Sequence, residues 1–333
     1  MSHLKGLYIL DAPSVDLIYG QEEQRRVAEV LDIYAPPQTS DSIKANPSVL
    51  ADANIVFSGW GAPLMDEHFL GAAPNLRAVF YGSGSIRKFT TEAFWDRNIV
   101  ISSAYAANAV PVAEYTLSTI LLSLKHFWRF SRETRNGNGW GDHTRPVRGA
   151  FNATVGLVSC GMIARKTLEL LRPFDVERIV YCPFLTEAEA DELMVRRCTL
   201  EEVFLHADVV SLHTPQLPET CGLITGRLLA SMKPNATFIN TARGAIVKQQ
   251  EMIDVLRKRP DLTAVLDVTN PEPPEPGSEL LTLPNVVLTP HIAGSMGSEI
   301  SRLGRYMVDE LRRYVAGEPL RWQITREKAA KLA

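Results

Sequence analysis

Thr154-Val155-Gly156-Leu157-Val158-Ser159-Cys160-Gly161-Met162-Ile163-Ala164-Arg165 reads as a buried apolar strand that turns directly into a helix. Such a turn leaves backbone amides free at a helix N-terminus, the arrangement that holds a pyrophosphate in a dinucleotide fold. Where the pattern G-x-G-x-x-G asks for three glycines, this chain has Ser159, Gly161 and Ala164. Gly161 keeps the position where backbone must approach phosphate, and Ala164 is small enough for helix packing. Ser159 is the departure, at the tight first turn. An acid that holds the adenosine ribose belongs about twenty residues further on. Strand Arg178-Ile179-Val180-Tyr181 ends instead in Cys182-Pro183-Phe184. No arginine or lysine follows at once to meet a 2′-phosphate, and Glu187, Glu189, Asp191 and Glu192 crowd the next turn with negative charge. That field favours NAD and leaves NADP open.

Outward from this loop the chain alternates short apolar runs with amphipathic ones. Ahead of it lie Leu7–Leu10, Ile55–Phe57, Ala78–Tyr81 and Ile99–Ile101 as strands, with Glu22–Leu31 and Met65–Leu70 as helices. A second set runs through Thr154–Val158, Arg178–Tyr181, Asp208–Leu212, Ala236–Asn240, Thr263–Leu266 and Val286–Thr289. Alternation of this kind argues parallel sheets with crossover helices, so two α/β units follow one another. Leu117, Ile120, Leu121, Leu124 and Trp128 recur at helical steps, which predicts a connecting helix over 112–128. A polar loop, Arg135-Asn136-Gly137-Asn138-Gly139-Trp140, follows it. A last long helix is expected over 295–316, and residues 271–276 form a proline-rich, rigid loop.

At 333 residues, 45% hydrophobic and 22% charged, the composition is that of a soluble globular protein of about two domains. A net charge of -3 and a pI near 6.2 give no basic field for nucleic acid. Cys160, Cys182, Cys198 and Cys221 stand 22, 16 and 23 residues apart, too far for a zinc knuckle or redox pair. They read as free thiols, and no metal site is expected. The N-terminus runs into a strand with no apolar leader, and the longest apolar run, 115–124, falls short of the roughly 20 residues a bilayer requires. A cytoplasmic protein with no membrane partner is expected.

Three segments nearer the C-terminus carry chemistry: Asn240-Thr241-Ala242-Arg243-Gly244, Asp267-Val268-Thr269-Asn270-Pro271-Glu272-Pro273, and Thr289-Pro290-His291-Ile292-Ala293-Gly294. Each places an ionisable residue beside Gly or Pro at a strand end. Together they suit reduction of a carbonyl beside a carboxylate. Arg243 grips the carboxylate with its planar fork, His291 gives a proton to the oxygen, and Glu272 keeps the imidazole charged and oriented. Asp267 closes the apolar run Ala264-Val265-Leu266, where a carboxylate must find donors or face a cleft.

The order of this trio, separated by 29 and 19 residues, resembles the D-2-hydroxyacid dehydrogenase family. Asn108 with Val112-Ala113-Glu114, Ser211-Leu212-His213-Thr214-Pro215, Pro218-Glu219-Thr220 and Met232-Lys233-Pro234 look like landmarks of the same family. The segment around Asp267 and Glu272 looks most like the glyoxylate/hydroxypyruvate reductases. Phosphoglycerate dehydrogenase is disfavoured because no regulatory domain follows residue 333, and formate dehydrogenase because its relatives carry an amide where Glu272 stands.

The resemblance implies a Rossmann domain over 106–295 inserted in a flavodoxin-like substrate domain of 1–105 plus 296–333. It implies hydride transfer between a nicotinamide cofactor and a small 2-oxo or D-2-hydroxy acid, with Arg243, Glu272 and His291 catalytic. Cofactor contacts carried over are Gly161, Met162, Ile163, Cys182, His213, Thr214, Pro215, Thr241, Asp267 and Gly294. The backbone amides of Ser83 and Gly84, in Tyr81-Gly82-Ser83-Gly84-Ser85, would hold the substrate carboxylate. Ile86-Arg87 stand where relatives commonly have an Asp. Trp60 and Trp140 would either wall the substrate site or pack. A homodimer is expected, built on residues 112–128 and the loop through Trp140. The rival reading is a dinucleotide-sensing co-repressor on the same fold, which binds NADH without turnover.

Overall fold

The computed structural model describes residues 4–137, 140 and 147–331. The chain divides into two compact units, Met1–Asn108 with Ser295–Ala333, and Ala109–Gly294. The sequence puts these divisions a few residues away, after 105 and after 295. The point of departure and the point of return are tied together, because Asn108 Oδ1 accepts from the Ser295 amide at 2.8 Å.

In the first unit β1 (Lys5–Ile9), β2 (Asp32–Ile33), β3 (Ile55–Ser58), β4 (Ala78–Tyr81) and β5 (Val100–Ser103) form a sheet in the order β2-β1-β3-β4-β5. Every pairing is parallel, and the order is the flavodoxin-like one. Alternate residues face opposite sides, as the strand pleat requires. Leu7, Ile9, Val56 and Val79 pack with Ile43, Leu50 and Phe69 on one face. Tyr8, Leu10, Ile55, Phe57, Ala78 and Phe80 pack on the other. That second face is covered by the helix Ile300–Ala316 through Ile300, Leu303, Met307, Val308 and Leu311. The same helix carries Glu310, only 1% exposed, whose carboxylate accepts from Ser102 Oγ (2.8 Å) and from the amides of Arg321 (3.0 Å) and Trp322 (2.9 Å). Segment 295–333 thus completes the first unit.

The second unit holds β6 (Ala153–Val158), β7 (Val176–Tyr181), β8 (Arg196–Arg197), β9 (Val209–Leu212), β10 (Thr237–Asn240), β11 (Thr263–Leu266) and β12 (Val286–Leu288). Their order is β12-β11-β10-β9-β6-β7-β8, all parallel. Strand order reverses between β6 and β9, the switch point at which doubly wound sheets bind ligands. β6, β9 and β10 are buried along their whole length, which is why they read as largely apolar runs.

Two expectations change. One helix was predicted over 112–128; the structure has two, Tyr105–Leu124 and Phe127–Arg135. The amides of Lys125 and His126 reach back only three residues, to Leu122 and Ser123, and His126 takes a left-handed φ of 49°. This tightening ends the α-helical ladder before Trp128. The late helix starts at Ile300 rather than 295, because a short 3₁₀ turn, Gly297–Glu299, precedes it. Among the described residues no helix is long and apolar enough to cross a membrane.

Candidate active site

At the C-terminal end of β10 the chain makes a turn built by Asn240, which is 1% exposed. Its Oδ1 accepts from the Ala242 amide (2.9 Å) and its Nδ2 donates to the Arg243 carbonyl (3.1 Å). This brace fixes the backbone of Arg243. Arg243 Nη1 donates to the Ala242 carbonyl at 2.7 Å, and its other guanidinium donors have no acceptor among the described residues. Burial pulls its pKa down, opposed by the charge of Glu272, but a guanidinium remains protonated at any physiological pH. Gly244 is required by close approach: a Cβ there would stand 2.1 Å from the carbonyl carbon and oxygen of Thr269. The Arg-Gly pair therefore lets the loop after β11 lie directly against the loop after β10.

That neighbouring loop begins with Asp267, 2% exposed. Its Oδ1 accepts from Thr289 Oγ1 (2.6 Å) and the Ile292 amide (2.8 Å), and its Oδ2 accepts from the Ala293 amide (2.9 Å). The Asp267 carbonyl accepts from the His291 amide at 3.0 Å. Asp267 is thus the fastener of the loop carrying His291, and its carboxylate is already engaged by three donors. Thr289 Oγ1 is in turn 3.0 Å from the Tyr115 hydroxyl, which extends the network to the connecting helix.

His291 adopts a left-handed φ of 54°, an unfavourable backbone for a residue with a Cβ. The bonds to Asp267 hold it there. Its Nδ1 lies 2.6 Å from Glu272 Oε1, and both side chains are about half exposed. The carboxylate makes Nδ1 the protonated nitrogen and leaves Nε2, which has no hydrogen-bond partner among the described residues, for proton exchange. The peptide bonds on either side of Pro271-Glu272, Asn270-Pro271 and Glu272-Pro273, are cis. Glu272 meets His291 directly and acts on the charge of Arg243, so the structure gathers all three residues singled out in the sequence.

The loop after β6 forms the tight turn despite its missing glycine, with Ser159 at φ 81° and its amide on the Tyr181 carbonyl at 2.7 Å. Helix Met162–Leu170 starts at Gly161 with no side-chain cap, so the amides of Met162 and Ile163 are left without an intrahelical acceptor. A Cβ on Gly161 would meet no atom within 4 Å. Nothing among the described residues excludes a side chain at Gly161, but a phosphate resting on these amides would. The residues present fit a dinucleotide pyrophosphate.

Across the switch point, the His213 amide donates to the Val158 carbonyl (2.9 Å), and Thr220 Oγ1 donates to the Pro215 carbonyl (2.7 Å). These bonds set His213-Thr214-Pro215 beside the β6 loop. His213 Nε2 is buried with no hydrogen-bond partner among the described residues, and burial lowers the imidazole pKa to about 4. The residue stays neutral in the fold. Its contribution to stability is complete above about pH 6.5 and is lost as pH falls through about 4. That loss amounts to on the order of 3 kcal/mol, and His213→Gln should flatten it in urea unfolding series run from pH 7.5 to pH 4.

Cys182 follows β7 and packs against the same core as Val180 and Leu185. Two of the acids beyond it are neutralised: Glu189 by Arg165 (2.6 Å) and Glu187 by Arg197 (2.6 Å). The local field against a 2′-phosphate is therefore weaker than the acid count implies. Thr241 is buried, and its hydroxyl lies 3.5 Å from that of Thr116. Gly294 is the last residue of the second unit.

In the first unit, Ser103 Oγ donates to the carbonyls of Ser83 (2.7 Å) and Gly84 (2.5 Å) at the end of β4. No acceptor among the described residues meets the amides of Ser83 and Gly84. The two amides are thus free while the carbonyls beside them are pinned. Arg87 donates to the carbonyls of Ala329 and Ala330 (3.2 and 2.9 Å) and so anchors the helix Arg326–Lys331. Trp60 is 37% exposed in this unit and Trp140 is 87% exposed in the other. The sequence did not point to Ser103, Asn240, Tyr115 or Thr289 as site-building residues. Each carries only a hydroxyl or an amide, and only the fold reveals its partner.

Residues 117–293 match the family model of the D-isomer specific 2-hydroxyacid dehydrogenase NAD-binding domain. The chain is 30% identical over 268 residues to D-3-phosphoglycerate dehydrogenase of Mycobacterium leprae, covering 80% of this chain and 50% of that protein. It is 32% identical over 250 residues to (S)-sulfolactate dehydrogenase of Chromohalobacter salexigens, covering 75% of this chain and 81% of that one. The fold superposes on D-mandelate dehydrogenase of Rhodotorula graminis with a TM-score of 0.82 at 20% identity, covering 97% and 98% of the two chains. The chain spans about half the length of the phosphoglycerate dehydrogenases it matches.

Proposed function

From the premise that this chain belongs to the D-isomer specific 2-hydroxyacid dehydrogenase family and carries its NAD-binding domain, we propose that it is an NAD-dependent oxidoreductase interconverting a small 2-oxo acid and its D-2-hydroxy acid. The observation that carries this reading is the Glu272-His291 pair at 2.6 Å beside a guanidinium with one internal bond.

In the reducing direction Arg243 holds the substrate carboxylate and carbonyl oxygen with its free donors, drawing electron density from C2. Bound NADH supplies the hydride to C2. His291 delivers the Nε2 proton to the carbonyl oxygen as negative charge develops there, and Glu272 stabilises the imidazolium from the Nδ1 side. Met162 and Ile163 offer their amides to the pyrophosphate, and His213-Thr214-Pro215 with Cys182 line the adenosine side. Thr241 and Gly294 frame the nicotinamide side. Asp267 positions His291 through the loop it fastens. In the first unit, the Ser83-Gly84 amides are free to hold an anion of their own.

The test is NADH oxidation with glyoxylate, hydroxypyruvate, and the 2-oxo acids of phosphoglycerate and sulfolactate. Turnover of at least one is expected. Tight NADH binding without turnover of any would overturn the enzyme reading and favour a dinucleotide sensor.

Two expectations accompany this proposal. Cys182→Asp should tighten NADH binding by about 1 to 2 kcal/mol through a charged bond to the ribose hydroxyls, and should weaken NADPH binding by like-charge repulsion. The ratio of kcat/KM for the two cofactors measures it, and an unchanged ratio would remove Cys182 from the ribose site. We also propose a homodimer built on residues 112–128 and the segment through Trp140. Phe127 and Trp140 are exposed apolar groups in that region, while Asn138 and Gly139 lie outside the described residues. Light scattering at micromolar concentration should give twice the chain mass.

A further inference from the structure

Ser159 stands where a glycine would cost nothing. It takes φ 81°, a conformation that a Cβ disfavours, in the loop that meets the dinucleotide. A glycine there would relieve the strain without disturbing the turn, since the turn is held by the Ser159 amide on the Tyr181 carbonyl at 2.7 Å. The serine hydroxyl has no hydrogen-bond partner among the described residues, so it offers them nothing in return for the strain. The bond to Tyr181 also fixes where the residue lies, alongside the peptide that leads into Cys182. β6 and β7 are in register up to Val158 and Tyr181, so Ser159 and Cys182 are the first residues beyond the paired strands. Cys182 is the position at which a ribose-holding acid is absent.

We infer that the Ser159 hydroxyl is a cofactor-binding group, supplying to the adenosine ribose the hydrogen bond that Cys182 cannot. The strained backbone is kept because only a residue with a side chain can make that bond. Strain stored at a binding loop and an unpaired hydroxyl beside a missing carboxylate have one explanation in common. This rests on the reading of the second unit as an NAD-binding domain.

The experiment compares wild type, Ser159→Gly and Ser159→Ala in the full chain, by thermal unfolding without cofactor and by calorimetric titration with NADH and with ADP-ribose. Ser159→Gly should raise the Tm by about 1 to 3 °C and weaken both ligands about five-fold, as for one lost neutral hydrogen bond. Ser159→Ala keeps the strained φ and loses the hydroxyl, so it should show the same loss of affinity without the gain in Tm. If either variant binds ADP-ribose as tightly as wild type, or if the glycine variant is no more stable, the inference is overturned. A loss seen with NADH but not with ADP-ribose also overturns it, because the contact would then lie outside the adenosine half. Failure of the wild type to bind either ligand would instead overturn the dinucleotide reading itself.

Discussion

His291→Ala will lower the rate of 2-oxo acid reduction by about 10²- to 10⁴-fold, the usual worth of a positioned proton donor. The structure makes the prediction specific. His291 is held by backbone bonds to Asp267, which do not involve its ring, and among the described residues the ring's hydrogen-bond partner is Glu272. Removing the imidazole leaves the loop fastened, so NADH affinity and Tm should change little while kcat collapses. Stopped-flow reduction with a saturating 2-oxo acid separates the two readouts. Turnover close to wild type would mean that another group delivers the proton.

Arg243→Lys will be nearly as damaging although it preserves the charge. The guanidinium makes one bond of its own, to the Ala242 carbonyl, and its remaining donors form a planar fork suited to a carboxylate. An ammonium concentrates its donors at one point and cannot grip two oxygens in the same plane. Loss of that two-point hold should raise KM and lower kcat together, with a combined loss in kcat/KM of about 10²-fold or more, equivalent to about 3 kcal/mol of transition-state binding. The Asn240 brace acts on the Arg243 backbone, so the variant should remain folded by circular dichroism. Kinetics matching wild type would make Arg243 a structural residue.

The parts of the fold that read most clearly from sequence were those governed by burial on both faces. β4 and β11 have the bounds read from their apolar runs, and β6, β9 and β10 lie within a residue of theirs, because a parallel strand covered by helices must be apolar throughout. The two-residue edge strands, β2 and β8, gave no pattern to read. The connecting helix was placed too late at both ends, starting after Tyr105 and running past Leu124, since a hydrophobic stripe continues through Trp128 while the backbone breaks at His126. Arg243, Glu272 and His291 were legible because their order and spacing belong to a family. The network that holds them was not. The three donors on Asp267 come partly from backbone amides, and backbone carries no sequence signature. The pairing of Glu187 and Glu189 with Arg197 and Arg165 was equally hidden, as partners ten and twenty-four residues away become neighbours only when the chain folds.

The tie between Asn108 and Ser295 has a consequence for how the molecule is made. During synthesis the N-terminal sheet emerges first, yet the helix that covers one of its faces comes from residues 300–316. Until those residues leave the ribosome, Tyr8, Leu10, Ile55, Phe57 and Phe80 have no cover from that helix, whereas residues 109–294 already contain the whole of their own sheet. The inserted unit can therefore reach its native state while the one that began earlier still waits for its lid. Of the two units, the one that starts earlier is the later to be finished, and its bare aromatic face is where a chaperone would be needed or a truncated product would aggregate.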